Sequence, residues 1–219
     1  QSWFLTIGWS VAASCSQVKH VKNSIMPAQN FFLAQHFNHV DGVDFSARYI
    51  QHGVALQQSG FAKYAVENEG EIVDYHEVAL ADIDENGQAE RIHFSQGDAC
   101  NLKPIYQNYD LIVANNLIET LYDPESFLTS IHNRLAKDGI LVVISAYQWD
   151  ENVTPKDKWI SGIKVNGENV IGLDGLTQYL AKHFEFLETQ TAENKVLKSA
   201  RSSELISNEV SVWRLKNEW

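Results

Sequence analysis

Three polar residues stand at the ends of apolar, strand-like runs in this sequence of 219 residues. Asp44 ends one run, Asp98 follows a second, and Asn116 ends the run YDLIVANN. Polar groups at the carboxyl ends of parallel strands line one crevice, where a nucleoside finds an acid for its ribose hydroxyls and an acceptor for its base. Each residue taken alone is better explained as a turn former than as a ligand-binding residue. The three together predict a nucleoside-binding site.

Helices must separate these strands. Ser46 is a good N-cap for a helix that ends at Gly60, since serine accepts a free backbone N–H and glycine tolerates a left-handed terminus. The residues of this helix with helical spacing, which we expect to be buried, are Ala47, Ile50 and Val54. A second helix is predicted from Asp123-Pro124, with Arg134 and Lys137 at its end, before Gly139.

The last part of the chain predicts a different pattern. The strand after YDLIVANN, which is the fifth predicted strand of the chain, is expected at 140–147. A helix is expected at 173–183, followed by strands at 184–189 and 209–215. The link 192–207 is too long for a tight turn. Alternating strands and helices with a terminal strand pair predict a doubly wound, Rossmann-like α/β fold with a seven-stranded sheet.

The length predicts a single domain over residues 1–219. Residues 1–30 are irregular and atypical for this fold. Residues 61–90 contain two alternating segments around Asn68-Glu69-Gly70-Glu71, which predict a β-hairpin insertion. Residues 148–172 are predicted to form a loop on the substrate side of the sheet.

Composition limits the function classes. The net charge of −11 argues against nucleic-acid binding, which needs clustered Lys and Arg, and favours a small-molecule substrate. Cys15 and Cys100 are the two cysteines, too few for a disulfide framework, so we expect a cytoplasmic protein. No apolar run approaches the ~18 residues of a membrane span. The eight histidines lack the spacing of a metal site.

Longer motifs carry a resemblance to a known family. VDGVDFS, QGDA and YDLIVANN resemble class I S-adenosylmethionine-dependent methyltransferases. From Phe31 to the C-terminus the chain is similar to the C-terminal methyltransferase domain of ovothiol-biosynthesis enzymes, in the strings DGVDFSARYIQHGVALQQSG, EGEIVDYHEVALAD, GDACNLKP, NLIETLYDPESF and SAYQW. The resemblance implies S-adenosylmethionine as cofactor and methylation of an imidazole nitrogen of 4-mercaptohistidine (5-thiohistidine). It also implies an upstream non-haem iron sulfoxide synthase domain.

The resemblance assigns roles by position. Asp44 would hold the ribose, Asp98 and Ala99 the adenine, and Asn116 and Glu119 would lie near the transferred methyl group. The remaining residues implied for the cofactor are Gly8, Phe45 and Asn115. Those implied for the substrate are the aromatic pair Tyr147 and Trp149 after the fifth strand, and Arg201 as a partner for a carboxylate.

The first thirty residues depart from the family pattern. The family loop resembles LDIGCxVGR, whereas Thr6 replaces the strand acid here and Ala12 replaces the second glycine. The segment is either a real insertion or a corrupted stretch, for instance from a shifted reading frame, and weaker cofactor binding is expected. Two alternatives therefore stay open: a methyltransferase fold that has lost cofactor binding, and a nicotinamide-dependent oxidoreductase, against which the missing GxGxxG counts.

Overall fold

The computed structural model of this protein describes residues 2–7, 28–84 and 87–217. Its strands are β1 Trp3–Ile7, β2 His39–Asp44, β3 Phe61–Glu67, β4 Val73–Ala79, β5 Ile92–Gln96, β6 Tyr109–Asn115, β7 Leu135–Ser145, β8 Ile163–Val165, β9 Glu168–Val170, β10 Phe184–Ser199 and β11 Ser202–Leu215. Its α-helices are α1 Ala28–Ala34, α2 Ala47–Ser59, α3 Pro124–Ser130 and α4 Gly172–Leu180.

Within these residues, seven strands form the main sheet in the order β5–β2–β1–β6–β7–β11–β10. The five strands from β5 to β7 are parallel, and β11 runs antiparallel to both β7 and β10. The chain builds outward from β1 to β5 and then returns to the other side of β1 with β6. Ligands bind at such a reversal, outside the carboxyl ends of the strands. The Rossmann-like α/β prediction is confirmed.

Side chains that alternate along the strands build a core on each face of the sheet, because successive residues point to opposite sides. Ile112 and Leu141 pack with Trp213 in the cluster that α3 and α4 cover. Val113, the next residue of β6, packs instead with Phe31 of α1 in the second cluster. The β3–β4 hairpin contributes to this second core, so it covers the face that carries α1 and α2.

The helix α2 ends at Gly60 as predicted, with φ at 76° and its N–H donated to the carbonyl of Leu56. The buried face was predicted wrongly. Gly53 and Leu56 are buried, whereas Ala47 is exposed. The reason is that α2 lies directly on the ring of Phe94, and a Cβ at position 53 would come within 2.8 Å of it.

The helix predicted up to Gly139 is much shorter. α3 ends at Ser130, a single 3₁₀ turn follows, and β7 already begins at Leu135. Thr129 and Ser130 donate their hydroxyls to backbone carbonyls four residues earlier, which competes with helix propagation. Arg134 does not stabilise a helix end; its guanidinium donates to the carbonyl of Leu102 at 2.8 Å.

The prediction of a long link at 192–207 is wrong, because these residues belong to β10 and β11 and to the short turn between them. β10 and β11 pair along their whole length from Phe184–Leu215 to Ser199–Ser202, with two register shifts. Since Glu209 is the first residue of β11 that pairs with β7, the hairpin extends beyond the carboxyl edge of the parallel strands. Its turn reaches the β3–β4 hairpin, where the N–H of Ala200 donates to the carbonyl of Glu67 at 2.9 Å. Strand pairing between two solvent-facing strands requires no apolar pattern, so the sequence did not reveal it.

Candidate functional site

The residues predicted to bind ligand lie at one edge of the sheet. In strand order, Asp98 follows β5, Asp44 ends β2, Asn116 follows β6 and Tyr147 follows β7. These residues lie at the same level along the strand direction, because Asp44 pairs with Gln96 and Asn115 pairs with Ile144. β5 and β6 are three strand spacings apart, about 14 Å. The edge therefore presents an extended row of polar groups on both sides of β1.

Asp44 is 8% exposed and is held by the backbone that follows it. Its Oδ1 accepts the backbone N–H of Ser46 at 2.6 Å. The Ser46 hydroxyl, which was predicted to cap α2, makes no cap hydrogen bond. Its Oδ2 accepts no hydrogen bond within the described residues. Burial raises the pKa of Asp44 to about 6, although the Ser46 N–H opposes the rise. A buried carboxylate with one oxygen unused is suited to ribose hydroxyls.

Phe45 presents an exposed ring at this edge. The residue is 76% exposed, and its carbonyl accepts the side-chain amide of Gln96 at 2.8 Å. An exposed aromatic ring at this edge can stack on the base of a nucleoside, because stacking buries apolar area. Phe45 lies between the ends of β2 and β5, on the side expected for the base.

Asp98 is a second acid at this edge, and two hydrogen bonds hold its carboxylate in place. The carboxylate of Asp98 accepts the N–H of Cys100 at 2.9 Å through Oδ1 and the hydroxyl of Tyr122 at 3.0 Å through Oδ2. Ala99 is buried beside it. Cys100 is a half-buried free thiol that donates to the carbonyl of Asp123, and burial raises its pKa. Tyr122 was not predicted from the sequence, since nothing near it indicates this partner.

Asn115 ends β6, and Asn116 follows it with a left-handed backbone. Asn116 has φ at 45°, and its backbone N–H donates to the carbonyl of Ile144 at 2.6 Å. Its carboxamide donates to Asn115, whose own Nδ2 donates to Gln29 of α1 at 3.1 Å. Both residues are buried. Left-handed backbone at a strand end is frequent at ligand sites, where the surrounding structure holds the strain.

Glu119 is buried and faces the end of β7. Its Oε2 accepts the hydroxyl of Ser145 at 2.7 Å, and its Oε1 accepts the N–H of Ala146. Burial raises the pKa of Glu119 above its usual range, and these hydrogen bonds oppose the rise. The geometry makes Glu119 a support for the turn that carries Tyr147.

Tyr147 follows that turn with φ at 51°, which is uncommon for a bulky side chain. Its hydroxyl donates to Glu209 of β11 at 2.8 Å. Burial, and then the bond to Glu209, raises the pKa of Tyr147, so the phenol stays protonated. The ring lies against Gly172, where any added Cβ would overlap it. Glu209 and Gly172 are therefore functional candidates that the sequence did not reveal.

Trp149 lies in the segment 148–172, which was predicted as a loop but contains the β8–β9 hairpin and the first residue of α4. Its indole N–H donates to Ser161 at 3.1 Å, and its ring stacks on Trp159 with 5.8 Å between centroids. Gly162 also contacts the ring. Trp149 also packs against the core cluster of Ile112 and Leu141, so it anchors this segment to the body of the domain.

Arg201 lies away from the other candidates. It is at the turn of the β10–β11 hairpin, where its guanidinium forms an ion pair with Glu69 at 2.6 Å and its side chain is 81% exposed. Eight residues of strand, about 26 Å, separate it from Glu209. The structure therefore does not bring Arg201 to the strand edge. Gly8, the remaining predicted residue, is outside the described residues.

The described residues show neither a membrane-spanning helix nor a metal cluster. No helix there is long and apolar enough to cross a membrane. No group of three or more His, Cys, Asp or Glu side chains there could hold a metal ion.

Comparisons with known proteins agree on the fold. A SAM-dependent methyltransferase from Methanosarcina mazei has a TM-score of 0.56 at 14% identity, covering 99% of this chain and 93% of its own. A protein from Pyrococcus horikoshii OT3 has a TM-score of 0.54 at 15% identity, covering 99% and 82%. A [4+2]-cyclase also has a TM-score of 0.54, at 14% identity, covering 99% and 76%. Such low identities establish the fold alone.

The sequence comparison establishes the family. A comparison with curated proteins gave no match. A family profile described as a methyltransferase domain matches residues 61–201, well over half of the chain. The matched region includes the ends of β5, β6 and β7, which carry most of the site described above. This chain therefore belongs to the methyltransferase domain family, and its cofactor is S-adenosylmethionine.

Proposed function

We propose that this protein transfers the methyl group of S-adenosylmethionine to an imidazole nitrogen of 4-mercaptohistidine, the reaction assigned to the ovothiol family that the sequence resembles. The resemblance extends over long strings on both sides of the site, from the segment around β2 to the residues after β7. The same resemblance implies an upstream sulfoxide synthase domain, and the low cysteine count predicts a cytoplasmic location; both stay predictions.

The residues of the edge fit the cofactor. Asp44 has an unused carboxylate oxygen for the ribose, and Phe45 has an exposed ring for the adenine. Asp98 and the backbone at Ala99 would hold the exocyclic amine and ring nitrogen. Asn115 and Asn116 would then lie at the sulfonium end, across β1. The cofactor supplies an electrophilic methyl group on a positively charged sulfur.

The single observation that carries the proposed substrate class is the acidic, hydrogen-bonding end of β7. Glu119, Tyr147 and Glu209 converge there, and within the described residues neither glutamate forms an ion pair with Lys or Arg. An imidazole, which is neutral or cationic near pH 7, suits such surroundings better than an anionic acceptor would.

The chemistry needs positioning more than a strong base. The lone pair of the unprotonated ring nitrogen forms the new N–C bond while the methyl–sulfur bond breaks and its electrons return to sulfur. The proton on the other ring nitrogen is then released. Free imidazole titrates near ~6.5, so no group must deprotonate it first at pH 7. Orientation alone can lower a barrier by about 7–11 kcal/mol. The Tyr147 ring and the Asn116 carboxamide would provide that orientation, and Glu119 is the proposed acceptor for the departing proton.

Turnover with methyl-labelled S-adenosylmethionine and 4-mercaptohistidine tests the proposal. Fragmentation of the product by mass spectrometry should place the label on a ring nitrogen. A label on sulfur, or transfer only to other acceptors, would refute the proposed reaction.

Calorimetry separates the two alternatives. A fold that has lost its cofactor would bind no S-adenosylmethionine, and an oxidoreductase would bind NAD. We expect S-adenosylmethionine to bind and NAD not to bind.

A further inference from the structure

Three amide side chains form a hydrogen-bonded chain from α1 to the end of β6. The Nδ2 of Asn115 donates to the Oε1 of Gln29 at 3.1 Å, and the Nδ2 of Asn116 donates to the Oδ1 of Asn115 at 3.2 Å. Asn115 and Asn116 were predicted at this edge from the sequence. Gln29 was not predicted, because it lies 86 residues from Asn115 and nothing near it in the sequence indicates the contact.

The first turn of α1 is held against the sheet, so the position of Gln29 is fixed. Phe31 is fully buried, and its ring centroid lies 6.0 Å from that of Phe94 in β5. Asn30 is also buried and lies against Gly42 of β2, where an added Cβ would overlap its carboxamide. Gln29 itself is half-buried. A side chain held in this way can set the orientation of the groups that bond to it.

The direction of the two hydrogen bonds decides which atom of Asn116 is unused. Because Gln29 accepts through Oε1, Asn115 donates through Nδ2 and directs its Oδ1 at Asn116. The Nδ2 of Asn116 then donates inward. Its Oδ1 accepts no hydrogen bond within the described residues, and it is not one of their fully buried unpaired atoms. The end of β6 therefore presents a carbonyl oxygen that keeps accessible surface.

The orientation of this carboxamide matters for a positively charged ligand. A carboxamide that turns over by 180° keeps its shape but exchanges an acceptor for two donors. The sulfonium of S-adenosylmethionine is positively charged and polarises its methyl C–H bonds, so a carbonyl oxygen attracts it and an N–H group repels it. The product S-adenosylhomocysteine is neutral at sulfur. The orientation of Asn116 therefore changes the preference between the two molecules.

We propose that Gln29 is a positioning residue that keeps the carbonyl oxygen of Asn116 directed at the sulfonium methyl group of S-adenosylmethionine. It acts through Asn115 rather than by contact with the reacting atoms. The inference deepens the proposed function and rests on its placement of the sulfonium beside Asn116, but not on the identity of the methyl acceptor. The two hydrogen bonds, the fixed first turn of α1 and the accessible oxygen carry it.

Calorimetric affinities for S-adenosylmethionine and S-adenosylhomocysteine, measured without an acceptor, test the inference. The readout is the ratio of the two affinities, which a loss of stability alone does not change. Gln29→Leu and the smaller Gln29→Ala remove the accepting oxygen, so each should reduce the preference for S-adenosylmethionine about three- to tenfold. Gln29→Glu has a carboxylate, which can only accept, so it should keep the wild-type preference or increase it.

Gln57→Leu is the matched control. Gln57 is another half-buried glutamine, on α2, and its side chain donates to the carbonyls of Ala89 and Ile92. Because Ile92 begins β5 at the opposite edge of the sheet, Gln57→Leu should lower the free energy of unfolding in urea and keep the cofactor preference.

An unchanged ratio in both Gln29→Leu and Gln29→Ala overturns the inference, and so does an equal loss of preference in Gln29→Glu or in Gln57→Leu. Wild type that binds no S-adenosylmethionine overturns it as well. If wild type binds the cofactor but does not methylate 4-mercaptohistidine, the proposed reaction fails, and the same affinity ratio still decides the role of Gln29.

Discussion

Replacing Asp44 with asparagine should raise the free energy of unfolding of the protein and lower its affinity for the cofactor. The variant keeps an oxygen for the N–H of Ser46 and removes the charge. Burial raises the pKa of Asp44 from 3.8 to about 6, a rise of about two units. Each unit corresponds to about 1.4 kcal/mol, so the ionised carboxylate costs the folded protein about 3 kcal/mol at neutral pH, as an upper limit.

The sign of the pH dependence follows from the raised pKa. Because the folded state holds the Asp44 proton more tightly than the unfolded state, wild type gains stability relative to Asp44→Asn as the pH falls through 6 toward 3.8. Urea unfolding should show Asp44→Asn more stable by up to about 3 kcal/mol at pH 7.5 and by about half of that at pH 5. Asp157→Asn, at an exposed aspartate, should change neither value.

Cofactor affinity should change in the opposite direction. Hydrogen bonds to a charged acceptor contribute about 1.5–3 kcal/mol, so S-adenosylmethionine should bind Asp44→Asn about 10- to 150-fold more weakly at pH 7.5. Wild-type affinity should also fall below about pH 6, where Asp44 becomes protonated, and the affinity of the variant should not. A variant that binds the cofactor normally, or that is no more stable than wild type at pH 7.5, would refute the reasoning about Asp44.

Three further outcomes are expected. Initial rates of methyl transfer should fall below about pH 6.5, since a protonated imidazole has no lone pair; a flat rate from pH 8 to 5 would contradict an imidazole nucleophile. Gly172→Ala should displace the Tyr147 ring and slow transfer about tenfold or more, with cofactor affinity by calorimetry unchanged; normal rates would remove Tyr147 from the site. Tyr122→Phe, which deletes the exposed bond to Asp98, should weaken cofactor binding; unchanged calorimetric affinity would show that this bond does not position the acid.

The sequence alone predicted the Rossmann-like fold and the identity of the edge residues. Apolar runs such as YDLIVANN must be buried on both faces, and the polar residue that ends each run necessarily lies at the strand end. Asp44, Asp98 and Asn116 could be found this way because the signal for each is local. The helix terminus at Gly60 was equally local, since its left-handed conformation depends on one residue.

Only the tertiary structure decided which side chains act together. Tyr147 and Glu209 are 62 residues apart in the chain and meet because β11 inserts next to β7. The β10–β11 hairpin carries Arg201 away to Glu69. Pairing between distant strands depends on hydrogen bonds that every backbone can form. The sequence therefore specifies which side chain lies at each strand end, and the order of strands in the sheet decides which other side chain it contacts.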